Sequence, residues 1–278
     1  MSRTRDLPDF TKPPVVEVAI SIQFERLANL RAAHLGLLWN EFKHQFPRTE
    51  EHPPMDQPME NLGGFLPPQM RVQIETVMPV PRVWFLNAAG TQVIQIQQDC
   101  FVHNWRKIDV PTEVYPRYEK IRSTFQDELS AFLRFAEREG IGTIRPIQCE
   151  ITYVNHMIAG SGWEQLGELE RVFAPWSGNY SDTFLKRPEQ ARIAVRHLIP
   201  GANGDPIGRL YIDVAPAMNL KTQSPMFVLT LTARGRPQGD GVEGALAALD
   251  IGRDWIVRGF ASVTTPTMHR IWGRIDAG

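Results

Sequence analysis

Apolar and polar side chains alternate through residues 15–24. Val16, Val18, Ile20, Ile22 and Phe24 fall on one side, and Glu17, Ala19, Ser21 and Gln23 on the other. A period of two marks a strand with one buried face. From Leu30 to Phe46 the period lengthens: Leu30, His34, Leu37, Leu38, Phe42 and Phe46 recur at helical spacing until Pro47 closes the segment. Residues 48–69 then carry Pro53, Pro54, Pro58, Pro67, Pro68 and the pair Gly63-Gly64. That density of breakers predicts a loop, and loops of this length inside compact domains tend to be functional or mobile. Strands are expected near Met70–Met78 and Arg82–Asn87, followed by a turn at Ala88-Ala89-Gly90 and one long strand from Thr91 to about Trp105. Between Thr112 and Glu139 a helical stripe of Tyr118, Ile121, Phe125, Leu129, Phe132 and Ala136 runs to Gly140 and Gly142.

The second half repeats this order. Ile147–Met157 alternates as a strand, Trp163–Phe173 reads as a short helix, and strands follow at Ala191–Ile199, Arg209–Val214 and Pro225–Ala233. Asp240 with Glu243 has the spacing of a capping box before a last helix striped by Leu246, Leu249, Ile256 and Phe260. Both halves therefore read β-α-β-β-β-α, with residues 1–142 as the first and 143–278 as the second. An internal duplication accounts for the repeat and places Glu17 and Glu150 at matching positions on the two first strands. The expected fold is α+β: two antiparallel, curved sheets joined edge to edge, with helices on one face. The order is similar to that in the two halves of the TATA-binding protein, and related to helix-on-sheet duplications of the gyrase-inhibitor-like, helix-grip type. Topology of this kind does not fix function.

Composition narrows the picture. The chain of 278 residues is 42% hydrophobic and 22% charged, which suits a folded core and excludes fibrous and disordered classes. Thirty Lys and Arg against 31 Asp and Glu give a formal charge of -1, so no whole-protein field favours nucleic acid or an anionic membrane. Only Cys100 and Cys149 are present, and each falls on an apolar side of its strand. That argues for inert core thiols in a reducing compartment, without a disulfide scaffold. The polar start, Met1-Ser2-Arg3-Thr4-Arg5-Asp6, and the lack of a run of roughly 20 apolar residues lead to the expectation of a cytoplasmic chain without membrane contact.

Short motifs spread over nearly the whole chain carry a resemblance. Lys12-Pro13-Pro14-Val15-Val16-Glu17-Val18, Gln95-Ile96-Gln97 through Asn104-Trp105-Arg106, Tyr115-Pro116-Arg117-Tyr118, Ile151-Thr152-Tyr153-Val154-Asn155 and Met268-His269-Arg270-Ile271-Trp272-Gly273 are similar to segments of a bacterial family named for its sporadic distribution. Thr152 stands where that family usually has Arg. The resemblance implies no activity. A patchy distribution implies horizontal transfer and a defence or mobile-element context.

The candidate chemistry concentrates on the sheet. If 91–105 is a single strand, Gln95, Gln97, Asp99, Phe101, His103 and Trp105 share one face, opposite Ile94, Ile96, Cys100 and Val102. Amides, an acid, an imidazole and aromatics on one surface suit a planar ligand, a peptide or single-stranded nucleic acid. The alternative is a solvated sheet face. Glu17 and Glu150 point the same way, either as an acid-base pair or, more simply, as partners of Arg71, Arg196 or Arg209. Asp99, His103 and His156 do not make a metal site, because a spacing of four on a strand separates two ligands by about 13 Å. The glycines of 201–208 read as a hairpin loop, since no Lys-Ser/Thr and no helix follow them.

The expected binding set is Glu17, Gln97, Asp99, His103, Trp105, Glu150, Arg209 and Tyr211, with no catalytic residue, metal or cofactor. The favoured reading is a non-enzymatic binding or regulatory protein that holds a small molecule or a protein partner on the open sheet face. The alternatives are an enzyme using Glu17, Glu150 or His103 on a small molecule, and a binder of single-stranded nucleic acid. On the expected face Arg71, Arg196, Arg209 and Arg234 meet Glu17, Glu75, Asp99, Glu150 and Asp213, a balance that disfavours duplex DNA.

Overall fold

The computed structural model describes residues 7–63, 79–108 and 114–275. The strand expected at 70–78 lies outside these residues. After a two-residue strand β1 (Asp9–Phe10) come β2 (Val15–Phe24), α1 (Ala32–Phe42), β3 (Arg48–His52), β4 (Arg82–Leu86), β5 (Gln92–Gln97), β6 (Cys100–Arg106) and α2 (Tyr118–Arg138). Then follow β7 (Pro146–Ile158), a single 3-10 turn at Leu169–Arg171, β8 (Ile193–Pro200), β9 (Pro206–Asn219), β10 (Ser224–Gly235), α3 (Gly241–Val263), α4 (Pro266–Ile271) and β11 (Arg274–Ile275). The fold is α+β. Among the described residues nine strands form one antiparallel sheet in the order β3-β4-β5-β6-β2-β7-β10-β9-β8, and β1 pairs with β11 beside it.

At the centre of the sheet β2 pairs with β7, with Ile20 opposite Ile151 and Ser21 opposite Glu150. The alternation read from the sequence holds here: Val18, Ile20, Ile22 and Phe24 are buried against the helices, as are Cys149, Ile151 and Tyr153. A bulge between Val15 and Glu17 shifts the pattern at the start of β2, so Val15 is buried and Val16 half-buried. Helix α2 seats Phe125, Leu129 and Phe132 on this layer; Phe132 stacks on Phe101 at 5.4 Å and meets Phe24 at 6.1 Å. Helix α3 lies close over β7 and β10. A Cβ at its Gly252 would stand 2.9 Å from Ile151 Cγ2 and 3.1 Å from the Cβ of Ala233, so a larger residue there would push the helix off the sheet. At the end of the chain Trp272 packs on Phe260 and Phe10, tying α4 to the N-terminal segment.

Several expectations need correction. Residues 91–105 are a hairpin, β5 turning at Gln98-Asp99 into β6, where one long strand is expected. Arg48–His52, within the expected loop, pairs with β4 as an edge strand. The helix expected over 163–173 is reduced to the Leu169–Arg171 turn. In α1 the buried stripe is Leu35, Leu38 and Phe42, while Leu37 is exposed. Asp240 is the N-cap of α3 but makes no side-chain cap hydrogen bond, so the expected capping box is not formed. Among the described residues no helix is long and apolar enough to cross a membrane.

Phe132 has no solvent exposure and bridges two aromatic rings of the sheet. Phe132→Ala is expected to lower stability by about 3–5 kcal/mol, as a core cavity does. Chemical denaturation measures this directly, and a loss below about 1 kcal/mol would be incompatible with the packing described.

Candidate functional site

Among the described residues the helices lie on one face of the sheet, yet several polar side chains on its other face are buried. Register explains which ones. One row across β5, β6, β2 and β7 reads Gln97, Cys100, Gln23 and Gln148, and all four are buried. The next row runs from Glu50 through Trp84, Gln95, Val102, Ser21, Glu150 and Arg234 to Arg209. Over the first row lies the segment that leaves β3 at His52, residues 53–63.

This strap is held mainly by side-chain amides. Gln97 Nε2 donates to the Met55 carbonyl at 2.9 Å, and its Oε1 accepts from the Met55 N–H at 3.2 Å. Gln148 works in the same two-handed way, donating to the Pro58 carbonyl at 2.9 Å and accepting from the Glu60 N–H at 2.7 Å. Gln23 joins the two by accepting from Gln148 Nε2 at 2.6 Å and donating to Gln57 Oε1 at 3.1 Å. An extended, proline-containing backbone has few donors to offer, and these amides satisfy the groups that burial would otherwise leave unpaired.

At the far end of the strap the Glu60 side chain is 4% exposed and sits among Arg209, Arg234 and Tyr211. Arg209 forms a direct ion pair with one carboxylate oxygen, the Tyr211 hydroxyl donates to the other at 2.5 Å, and Arg234 Nη1 lies 3.9 Å away. Arg209 also donates to the Asn61 carbonyl. Arg234 Nε donates to Glu150 at 2.5 Å, and the Tyr211 ring lies between the guanidinium groups of Arg196 and Arg234, at 5.3 and 5.2 Å. Two guanidinium groups and a phenol around one desolvated carboxylate form a charge-assisted anion site.

Of the expected set, Gln97, Glu150, Arg209 and Tyr211 meet around the strap. Glu17 shares the face but accepts from Asn104 Nδ2 at 2.5 Å and does not touch the strap. Asp99 sits in the hairpin turn, accepting from Gln97. His103 and Trp105 are corrections: both are buried on the helix side, with Phe101. The cause is parity. A two-residue turn places Gln97 opposite Cys100 and Ile94 opposite His103, so each odd-numbered residue of β6 faces away from the odd-numbered residues of β5. Cys100 consequently lies on the strap side. Burial raises the pKa of both thiols, that of Cys149 to about 12, which keeps them protonated and unreactive. Glu60 and the strap were not among the expected site residues; the only sequence signal was the length of the proline-rich loop.

On the helix side two features stand apart. His103 Nδ1 and Glu128 Oε2 form a buried pair at 2.7 Å, and burial raises the Glu128 carboxyl pKa while His103 lowers it. Between α2 and α3 opens a cavity of about 950 Å³ lined by Phe10, Tyr115, Tyr118, Tyr153, Asn155 and Arg253 among others. Tyr115 and Tyr153 share a hydroxyl hydrogen bond at 3.0 Å, and Tyr118 donates to Asp250 at 2.7 Å. Burial raises all three phenol pKa values, so these groups serve as neutral hydrogen-bonding partners.

The molecule is thus an α+β protein whose nine-stranded antiparallel sheet carries its own strap in an amide-and-arginine cradle. Comparison with protein-family models, curated proteins and solved structures finds no match.

His103→Leu leaves the Glu128 carboxylate buried without its partner and is expected to cost about 3–5 kcal/mol near neutral pH. A carboxyl whose folded pKa is raised contributes most below its unfolded value of about 4.3, and that contribution is lost as pH climbs through the folded value. The deficit of His103→Leu relative to the parent should therefore widen as pH rises from about 4.3 toward neutrality, and Glu128→Gln added to it should remove most of that slope. Denaturation curves of the three variants across this range check both the cost and the sign.

Proposed function

We propose that the protein is a non-enzymatic binding or regulatory protein, and that the open sheet face is its binding surface for an extended polypeptide. One observation carries the reading: this face already holds residues 55–60 through side-chain amides that address backbone groups, the means by which a surface grips an extended chain whatever its sequence. The enzyme alternative draws less support. Glu17, Glu150 and His103 are engaged by Asn104, Arg234 and Glu128 respectively, with His103 on the opposite face. Stacking on single-stranded nucleic acid would rely on Trp84 and Tyr211 in place of Phe101 and Trp105. Trp84 is already covered by His52 at 4.2 Å, and Tyr211 lies between two arginines.

The same proposal includes an internal duplication, residues 1–142 and 143–278, of the kind in the TATA-binding protein. Its support is strand order and register. Outward from the central pair the strands run β2, β6, β5, β4 and β7, β10, β9, β8, with β3 added at the edge of the first set, and each set is followed in sequence by a long helix. Glu17 lies opposite Arg106 on β6 as Glu150 lies opposite Arg234 on β10.

The binding reading is tested with the full chain in which residues 54–62 are replaced by a Gly-Ser segment. Extended peptides displayed on an array should bind this variant, and Gln23, Gln97 and Gln148 all changed to Ala should weaken binding by about tenfold or more, as loss of several buried hydrogen bonds does. If the array yields no bound peptide, or binding is indifferent to the three amides, the open face is not the binding surface.

The cavity between α2 and α3 favours a second reading, a small amphipathic ligand held by its tyrosines and Arg253, because its volume falls in the range of about 300–1,000 Å³ typical of such sites. The dye 8-anilinonaphthalene-1-sulfonate should then brighten with the parent protein and not with Val257→Trp, which fills the space. Equal brightening with both would place the dye elsewhere and remove this reading.

A further inference from the structure

We infer that Arg209, Arg234 and Tyr211 form a carboxylate-reading site for an acidic, extended polypeptide, and that Glu60 fills it as the chain's own stand-in. The inference rests on the open face being a binding surface and adds what that surface selects. The amides of Gln97 and Gln148 touch only backbone atoms of the strap and carry no side-chain preference. Selectivity must come from the one side chain of the strap that is fully engaged by charge, Glu60.

The charge balance points the same way. Around Tyr211 stand Arg196, Arg209 and Arg234, opposed by Glu60 and Glu150; Asp213, the next acid on β9, is paired with Arg192 at 3.2 Å. With the strap lifted, three guanidinium groups face, among the described residues, the single carboxylate of Glu150. Arg234 remains satisfied by Glu150, but among the described residues Arg209 has only Glu60 and the Asn61 carbonyl as partners, both of which leave with the strap. Geometry supplies a register for the incoming chain. An acid at position i has its N–H held by Gln148, the carbonyl of residue i−2 held by the same amide, and both backbone groups of residue i−5 held by Gln97. Proline fits at position i−2, where Pro58 stands, because only its carbonyl is used there and the N–H groups of the segment bonded to the sheet amides are those of Met55 and Glu60.

Such an arrangement makes the strap a competitor in cis. A segment tethered in the same chain acts at an effective concentration of about millimolar, so a free acidic peptide would bind the intact protein only weakly. Weak binding to the parent and tight binding after removal of the strap are two sides of one equilibrium.

The test uses a fluorescent peptide with the sequence of residues 53–63, the full chain with residues 54–62 replaced by a Gly-Ser segment, and the parent. The peptide should bind the replaced chain at least about tenfold more tightly than the parent. The same peptide carrying Glu60→Gln should bind the replaced chain about 30-fold more weakly or worse, and Arg209→Gln in the protein should impose a similar loss on the Glu peptide. Should the replaced chain not fold by circular dichroism, Glu60→Ala in the otherwise intact protein takes its place, with the same order of affinities expected. If the Glu and Gln peptides bind equally while the Gln23, Gln97 and Gln148 substitutions still weaken both, the open face stands as a binding surface and the carboxylate inference falls. If neither peptide binds, both fall. If a thymidine oligonucleotide displaces the bound peptide more effectively than the acidic peptide itself, the arginines select phosphate and the inference is overturned.

Discussion

The structure depends on the antiparallel pairing of β2 with β7. Without it the strands of 15–106 and those of 146–235 would each end in an open edge, a row of unpaired backbone groups at the middle of the chain. With it, Ile20 and Ile151 meet at the centre, α2 and α3 come to lie side by side over one continuous apolar layer, and the two ends of the chain are drawn together where Phe10 touches Trp272. The same pairing fixes the opposite face. Gln23 on β2 and Gln148 on β7 are opposite each other in register, so the seam that closes the core also sets two adjacent amides on the face opposite α2 and α3. Neither is exposed to solvent, and burial of an amide demands partners. The strap is the part of the chain that provides them.

Much of this fold is legible in the sequence, because long alternations such as 15–24 and long helical stripes such as 118–138 allow one reading of which side is buried. The helix face of α3 is equally legible from Leu246, Leu249, Ile256 and Phe260, all buried. Parity across a turn is not. In 91–105 the sequence offers no glycine, proline or Asn-Gly pair, and the reversal at Gln98-Asp99 is held by tertiary contacts: Arg26 donates to Gln98 Oε1 at 2.8 Å and Gln98 donates to the Leu30 carbonyl at 2.9 Å. Those partners are some 70 residues away in sequence, beyond local pattern reading. A single unrecognised two-residue turn exchanged the faces of His103 and Trp105, while Arg209 and Tyr211, on a strand with no such interruption, fell where alternation places them.

The strap was hidden for a related reason. A run rich in Pro53, Pro54 and Pro58 is correctly read as neither helix nor strand, yet irregular backbone is commonly equated with a solvated surface loop. Here the lack of N–H donors is what allows the segment to cross a sheet instead of pairing along its edge. It makes few demands, and the two N–H groups it does present inward, those of Met55 and Glu60, meet Gln97 and Gln148. Composition reports the irregularity of the segment; only its partners, dispersed over β2, β5 and β7, report where it lies.

The energetics of the cradle bear on whether the strap is structural cement or an exchangeable occupant. Burying the Glu60 carboxylate against Arg209 and Arg234 requires stripping water from all three groups, and for buried ion pairs that penalty roughly cancels the attraction gained. The amide contacts are worth about 0.5–1.5 kcal/mol each, against the entropy of ordering roughly six residues at about 1–2 kcal/mol apiece. Neither term leaves a large surplus. The aromatic core lies on the other side of the sheet from the strap, where Phe101 packs against Phe125 and Phe132 of α2. A segment so placed is specific in geometry and modest in net stability, so its occupancy is decided by competition for the same amides and arginines and not by the folding of the domain.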